Sequence, residues 1–101
     1  MFEDDFGKFP TKLKDYTEIK SLMLQHVITY VNKHLDNTDL VNGFDVYFVW
    51  YSKILKNSKA LISTSLPDGM YYEVTYNGEK DEFYLDAYKK FENIKITGVE
   101  Q

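Results

Sequence analysis

The spacing of the hydrophobic residues changes once along the chain, and this change does most to limit its fold. Before residue 37, apolar side chains recur every three or four positions. After residue 44, β-branched and aromatic residues dominate and alternate. The first pattern is typical of an amphipathic helix and the second of strands. Residues 37–44 are rich in Asn, Asp and Gly, which favour turns. We therefore expect a helix followed by a sheet.

The helix is predicted over residues 12–36. The sequence offers two alternatives for a capped first turn, one formed by Thr11 with Asp15 and the other by Asp15 with Glu18. The predicted buried stripe contains Leu13, Tyr16, Ile19, Met23, Val27, Tyr30 and Val31, widened by Leu22, His26 and Leu35. The preceding residues 1–10 are acidic and aromatic (Phe2, Phe6 and Phe9), end at Pro10, and indicate an extended arm.

Four strands are predicted after the helix, over residues 46–55, 60–66, 70–76 and 82–88. The last segment also fits a helical turn, and the sequence leaves this open. Pro67-Asp68-Gly69 predicts a turn, because Pro presets φ and Gly accepts positive φ. Asn77-Gly78 predicts a two-residue type I′ hairpin turn with positive φ at both positions.

The expected fold class is α+β, with one N-terminal helix packed on a four-stranded antiparallel meander sheet in two layers. We expect a single domain over residues 1–101. Its parts are the arm at 1–10, the helix at 12–36, the sheet at 45–96 and a tail at 97–101.

Strict alternation divides the sheet residues into two faces. One face would pack on the helix and bury Phe48 and Trp50. The other face would hold Tyr47, Tyr51, Tyr71, Tyr84 and Tyr88 together with Glu73 and Asp86. These tyrosines have two interpretations, either cross-strand packing pairs or a surface that recognises another protein. Stacking of single-stranded bases is disfavoured because the two carboxylates repel phosphates.

Composition excludes several classes of function. With no Cys, the chain has no disulfide, thiolate metal site or cysteine nucleophile. The chain has 12 basic residues, all of them Lys, and 16 acidic residues, which gives a net charge of −4. Both the negative charge and the absence of Arg, the main reader of guanine, disfavour binding to duplex DNA. The first residues lack the pattern of a signal peptide. The longest apolar run, residues 46–51, is too short to span a membrane.

No catalytic or metal motif is apparent. His26 and His34 lie eight positions apart on the helix, whereas a shared metal requires three or four. No His is placed by a motif to activate Ser63, Thr64 or Ser65. The acidic clusters, Glu3/Asp4/Asp5 and Asp81/Glu82, are expected to be solvated. We therefore predict no enzymatic activity, no cofactor and no metal.

Residues 46–51 (VYFVWY), 59–65 (KALISTS), 67–78 (PDGMYYEVTYNG) and 84–90 (YLDAYKK) carry a resemblance. Over residues 45–96 the chain resembles a family of small uncharacterised proteins encoded by phages and prophages of low-GC Gram-positive bacteria. The resemblance implies a phage product acting in the host bacterial cytoplasm, and it supplies no activity or site residues.

Three functions are therefore carried forward. The first is a protein that binds and inhibits a host protein, such as a nuclease of antiviral defence, with the five tyrosines as its surface and a basic partner favoured by the net charge. The second is an accessory protein that forms a homodimer through the open sheet face. The third is a sponge for a nucleotide held by Lys53, Lys56 and Lys59.

Overall fold

A computed structural model describes residues 14–35 and 43–98. Its elements are α1 (Tyr16–His34), β1 (Val46–Ile54), β2 (Asn57–Thr64), β3 (Met70–Asn77) and β4 (Glu82–Lys89). The strands form an antiparallel sheet in the order β1-β2-β3-β4. The predicted α+β meander is thus confirmed, and residues 82–88 are strand rather than helix. The expected arm, most of the loop before β1, and residues 99–101 of the tail lie outside the described residues.

The helix begins where its local sequence satisfies the free backbone amides of the first turn. Asp15 is the N-cap, and its Oδ1 accepts a hydrogen bond of 2.9 Å from the amide of Glu18. Of the two predicted starts, the Asp15–Glu18 turn is therefore the one formed. At the other end, His34 Nδ1 donates to the carbonyl oxygen of Tyr30 at 2.8 Å. The helix ends two residues earlier than predicted.

The core lies between one side of α1 and one side of the sheet. The helix contributes Ile19, Met23, Val27 and Val31, each at most 3% exposed. The sheet contributes alternate residues of its two central strands, Ala60, Ile62, Tyr72, Val74 and Tyr76. The predicted stripe is thus confirmed at its centre, whereas Tyr16 is 57% exposed. No helix among the described residues has the length and apolar character required to cross a membrane.

The turns follow the sequence prediction at one of three sites. Gly69 takes φ 70°, and Asp68 Oδ1 accepts from the amide of Met70 at 3.0 Å, as expected of the β2–β3 turn. Ile54 pairs with Asn57, so the β1–β2 connection is a loop of only two residues. Within this loop Leu55 takes φ 55°. The predicted strands instead end at residue 55 and resume at residue 60, which leaves a four-residue connection at residues 56–59.

The predicted type I′ turn at Asn77-Gly78 is wrong. Asn77 pairs with Glu82 as the last residue of β3, so the loop comprises residues 78–81. Asn77 Oδ1 accepts from the amides of Glu79 (3.0 Å) and Lys80 (3.2 Å), and the positive φ (53°) falls on Asp81. The Asn side chain therefore organises a longer loop by binding amides ahead of it.

Gly78 has a different role from the one its turn motif predicts. A Cβ built on Gly78 would lie 2.0 Å from the carbonyl oxygen of Lys56, in the neighbouring β1–β2 loop. The amide of Gly78 also donates to Asn57 Oδ1 at 3.1 Å. Gly78 is therefore required for the close approach of two adjacent loops.

Candidate functional site

The side of the sheet that faces away from α1 carries most of its exposed aromatic residues. We call this side the open face. Residues Tyr47, Ser63, Tyr71 and Tyr88 are consecutive cross-strand partners and form one row across all four strands. Tyr47 and Tyr88 are about half exposed. Within residues 14–35 and 43–98, the only helix lies on the opposite face of the sheet. The two outer tyrosines of the row, on β1 and β4, are therefore accessible among the elements described, whereas Ser63 is buried.

A β-bulge in β1 changes which aromatic residues reach the open face. The register shifts between Phe48, which pairs with Ile62, and Trp50, which pairs with Leu61. One extra residue in a strand reverses the orientation of every side chain that follows it. Trp50 therefore lies on the open face, 43% exposed, and the predicted burial of Trp50 against the helix is wrong.

Tyr51 is moved by the same bulge from the open face to the helix side. Its ring lies edge-to-face with Phe48 at 6.0 Å, and the Lys20 ammonium lies 5.0 Å from its centroid. Its hydroxyl shares a hydrogen bond of 2.9 Å with the Oγ of buried Ser58. The placement of Tyr51 on the open face is thus contradicted. The structure brings together Tyr47, Tyr71, Tyr84 and Tyr88, and adds Trp50.

Two carboxylates lie next to each other on the open face. Glu73 and Asp86 are direct cross-strand partners beside the tyrosine row. Their charges, that of Glu73 first, raise the pKa of Tyr88, whose hydroxyl donates to Glu73 Oε1 at 3.3 Å. A hydrogen bond from Tyr84 to Glu82 raises the pKa of Tyr84 as well. Of the face's basic groups, Lys59 lies 3.6 Å from Glu73.

A shallow apolar hollow lies beside Trp50. Its volume is about 500 Å³, and its walls include Trp50, Ile54 and Lys59. Trp50 and Ile54 line it because both lie after the bulge. Under strict alternation both residues would instead have faced the helix, so sequence reasoning missed this hollow.

The Ser, Thr and His residues considered above for catalysis or metal binding make structural contacts instead. Ser63 Oγ donates to the carbonyl of Met70 (2.9 Å), Thr64 Oγ1 accepts from Leu66 (3.1 Å), and Ser65 Oγ accepts from Asp45 (2.9 Å). His26 packs its ring 4.7 Å from that of Phe83. Within the described ranges, no group of three His, Asp or Glu residues is placed to hold a metal ion.

The three lysines of the nucleotide hypothesis do not converge. Lys53 and Lys56 line a small cavity of about 90 Å³ at the loop end of the sheet. The ammonium of Lys53 donates to the carbonyl of Leu55 at 2.5 Å. Lys59 lies on the open face instead. No single phosphate site is formed by this set.

Comparison with known proteins places the chain in a family. Neither the curated proteins nor the solved structures contain a match to the sequence. The profile of DUF6275, a family of unknown function, matches residues 17–98, which include α1 except its first residue and all four strands. Since the match covers most of the chain, the protein belongs to the DUF6275 family of unknown function.

Proposed function

We propose that the protein is a binding module whose open face recognises a basic segment of another protein chain. The observation that carries the proposal is the bulge-exposed Trp50 beside the row of Tyr47, Tyr71 and Tyr88. Trp and Tyr are the residues most enriched among those that dominate binding energy at protein interfaces. Their rings offer a large contact area with few rotatable bonds.

The charges of the face support a basic partner. Glu73 and Asp86 lie side by side within the aromatic surface, and the field they create is the one that raises the pKa of Tyr88. A Lys or Arg side chain could stack on an aromatic ring and pair with a carboxylate at the same time. Charge complementarity of this kind mainly determines partner choice and association rate.

The setting we propose is that of a phage-encoded protein in a bacterial cytoplasm, which inhibits a host protein such as a defence nuclease. Two observations support this setting. The chain resembles phage proteins over residues 45–96, and its cations are all Lys. A phage gene product would meet such a host factor during infection.

The test compares two variants in which aromatic side chains of similar exposure are replaced, one on the open face and one on α1. Trp50→Ser with Tyr88→Ser changes the open face, whereas Tyr16→Ser removes an aromatic ring that is 57% exposed on α1. Each protein is immobilised on a resin and incubated with a lysate of a low-GC Gram-positive bacterium, and the captured proteins are identified by mass spectrometry. Affinity for the purified partner is then measured by calorimetry.

We expect the double variant to lose at least about 2 kcal/mol of binding free energy, the threshold of an interface hot spot. The Tyr16→Ser variant should bind like the original chain, and both should keep their circular dichroism spectra. Equal binding by all three folded proteins would contradict the proposal.

A further inference from the structure

The outer edge of β4 has unpaired backbone groups at regular positions. The amide of Lys90 donates to the carbonyl of Gly69 at 2.7 Å, in phase with the β3–β4 register. Antiparallel pairs alternate between hydrogen-bonded and non-hydrogen-bonded. The even-numbered residues of β4 therefore bond to β3. Four residues direct their N–H and C=O groups outward: Phe83, Leu85, Ala87 and Lys89.

The two edges of the sheet differ in their capacity to pair. β1 contains the bulge, which interrupts the spacing of its outer groups and is a common protection of sheet edges. β4 pairs with β3 without a register shift over its eight residues. In the part of the chain that the structure describes, β4 has no neighbour on its outer side. β4 is thus the edge suited to receive another strand.

We propose that β4 of a second copy of this chain occupies this edge, antiparallel and centred on Asp86. This proposal goes beyond the proposed function and does not depend on it. In this register, Phe83 faces Lys89 of the second copy and Leu85 faces Ala87 of the second copy. All outward backbone groups of both strands are then hydrogen-bonded, and the two sheets become continuous.

The side chains on the open face support this register. Tyr84 comes opposite Tyr88 of the second copy, and Glu82 opposite Lys90 of the second copy. These are non-hydrogen-bonded pairs, whose Cα atoms are about 4.5 Å apart and whose side chains interact most closely. By symmetry, each aromatic and each ionic pair forms twice. A register centred on Leu85 would instead place Glu82 opposite Tyr88 of the second copy. Lys89 would then have no partner within β4 of the second copy.

Asp86 limits the strength of this association. At the two-fold axis it lies directly opposite Asp86 of the second copy, and like charges in that position repel. The dimer is therefore expected to be reversible. Asp86→Asn should tighten it by about five- to tenfold, as the removal of two like charges a few ångströms apart implies at a partly solvated site.

The first experiment tests the register by exchanging charges. Sedimentation of the full chain is measured up to about 1 mM, a range that detects weak association. We expect dimers in the original chain, fewer in Glu82→Lys or Lys90→Glu, and recovery in the double variant. Monomers at every concentration, in both the original chain and Asp86→Asn, would overturn the proposal. So would a dimer that neither exchange weakens.

The second experiment uses the absence of Cys from the sequence. Asp86→Cys introduces one thiol at the proposed axis, where the Cα separation suits a disulfide. We expect mild oxidation to link most of this variant into dimers and to link little of Ser52→Cys, an open-face control on β1. Equal linkage of the two would contradict the β4 register. Trp50 lies on β1, at the opposite edge of the sheet, and takes no part in the proposed dimer. The single variant Trp50→Ser should therefore weaken partner binding and leave the dimer unchanged, so failure of this proposal is separable from failure of the proposed function.

Discussion

Replacing Gly78 by Ala distinguishes the structural role of this residue from the one its motif suggests. The new Cβ would lie 2.0 Å from the Lys56 carbonyl oxygen, 2.8 Å from its Cβ and 2.9 Å from its carbonyl carbon. Backbone atoms cannot swing away as a flexible side chain would. The two loops must separate by roughly 1.5 Å before the new Cβ and the Lys56 carbonyl oxygen reach ordinary van der Waals contact.

The expected cost combines two effects. Overpacking of a tight contact destabilises by about 1–3 kcal/mol. Separation of the loops also weakens the hydrogen bond of 3.1 Å between the Gly78 amide and Asn57 Oδ1, a further loss of about 0.5–1.5 kcal/mol. We therefore expect Gly78→Ala to lower the free energy of unfolding by roughly 2–4 kcal/mol, a large fraction of the stability of a small domain.

The assay is urea denaturation followed by Trp50 fluorescence. Gly98→Ala is the matched control, because nothing lies within 4 Å of a Cβ built there, and it should leave the midpoint unchanged. Gly78→Asn separates the two explanations. Asn tolerates positive φ and would be accepted in a type I′ turn, whereas its Cβ meets Lys56 as that of Ala does. A Gly78→Asn variant as stable as the original chain would refute the steric argument.

Two further predictions concern the β1–β2 hairpin. Tyr51→Phe should cost about 1 kcal/mol in urea denaturation, because it leaves the buried Ser58 hydroxyl without its partner; an unchanged midpoint would place Tyr51 on the open face after all. Leu55→Gly should raise the melting temperature, because Leu55 takes φ 55° and is 84% exposed, and relief of the left-handed conformation, about 1–2 kcal/mol, outweighs a lost surface contact. A lower melting temperature would show that the Leu55 side chain contributes packing.

The fold could be predicted because its signals are local. The change of hydrophobic period separates the helix from the sheet, Asp15 and Glu18 define the first turn, and Pro67 with Gly69 marks the β2–β3 turn. Each depends on the chemistry of a few adjacent residues. The ends of the helix and strands, two of the three turns and the bulge in β1 differed from expectation.

The composition of the candidate site could be predicted only in part, because a bulge leaves no signal in this sequence. Residues 46–51 are apolar at every position, so the alternation of polar and apolar side chains that normally fixes register is absent. Trp50 and Tyr51 are both acceptable on either face, and packing against β2 decides between them. The tyrosines of β3 and β4 were placed correctly because Glu73 and Asp86 mark the wet side.

The way α1 crosses the sheet also affects the order in which the protein can assemble during synthesis. The helix emerges from the ribosome before the sheet, yet its buried residues, such as Met23 and Val27, pack against a core that β2 and β3 complete. The sheet itself pairs each strand with the next one along the chain, through short loops. The apolar side of α1 would therefore stay exposed in a nascent chain until residue 77 has emerged. Chaperones that recognise apolar surfaces could bind the helix during this interval.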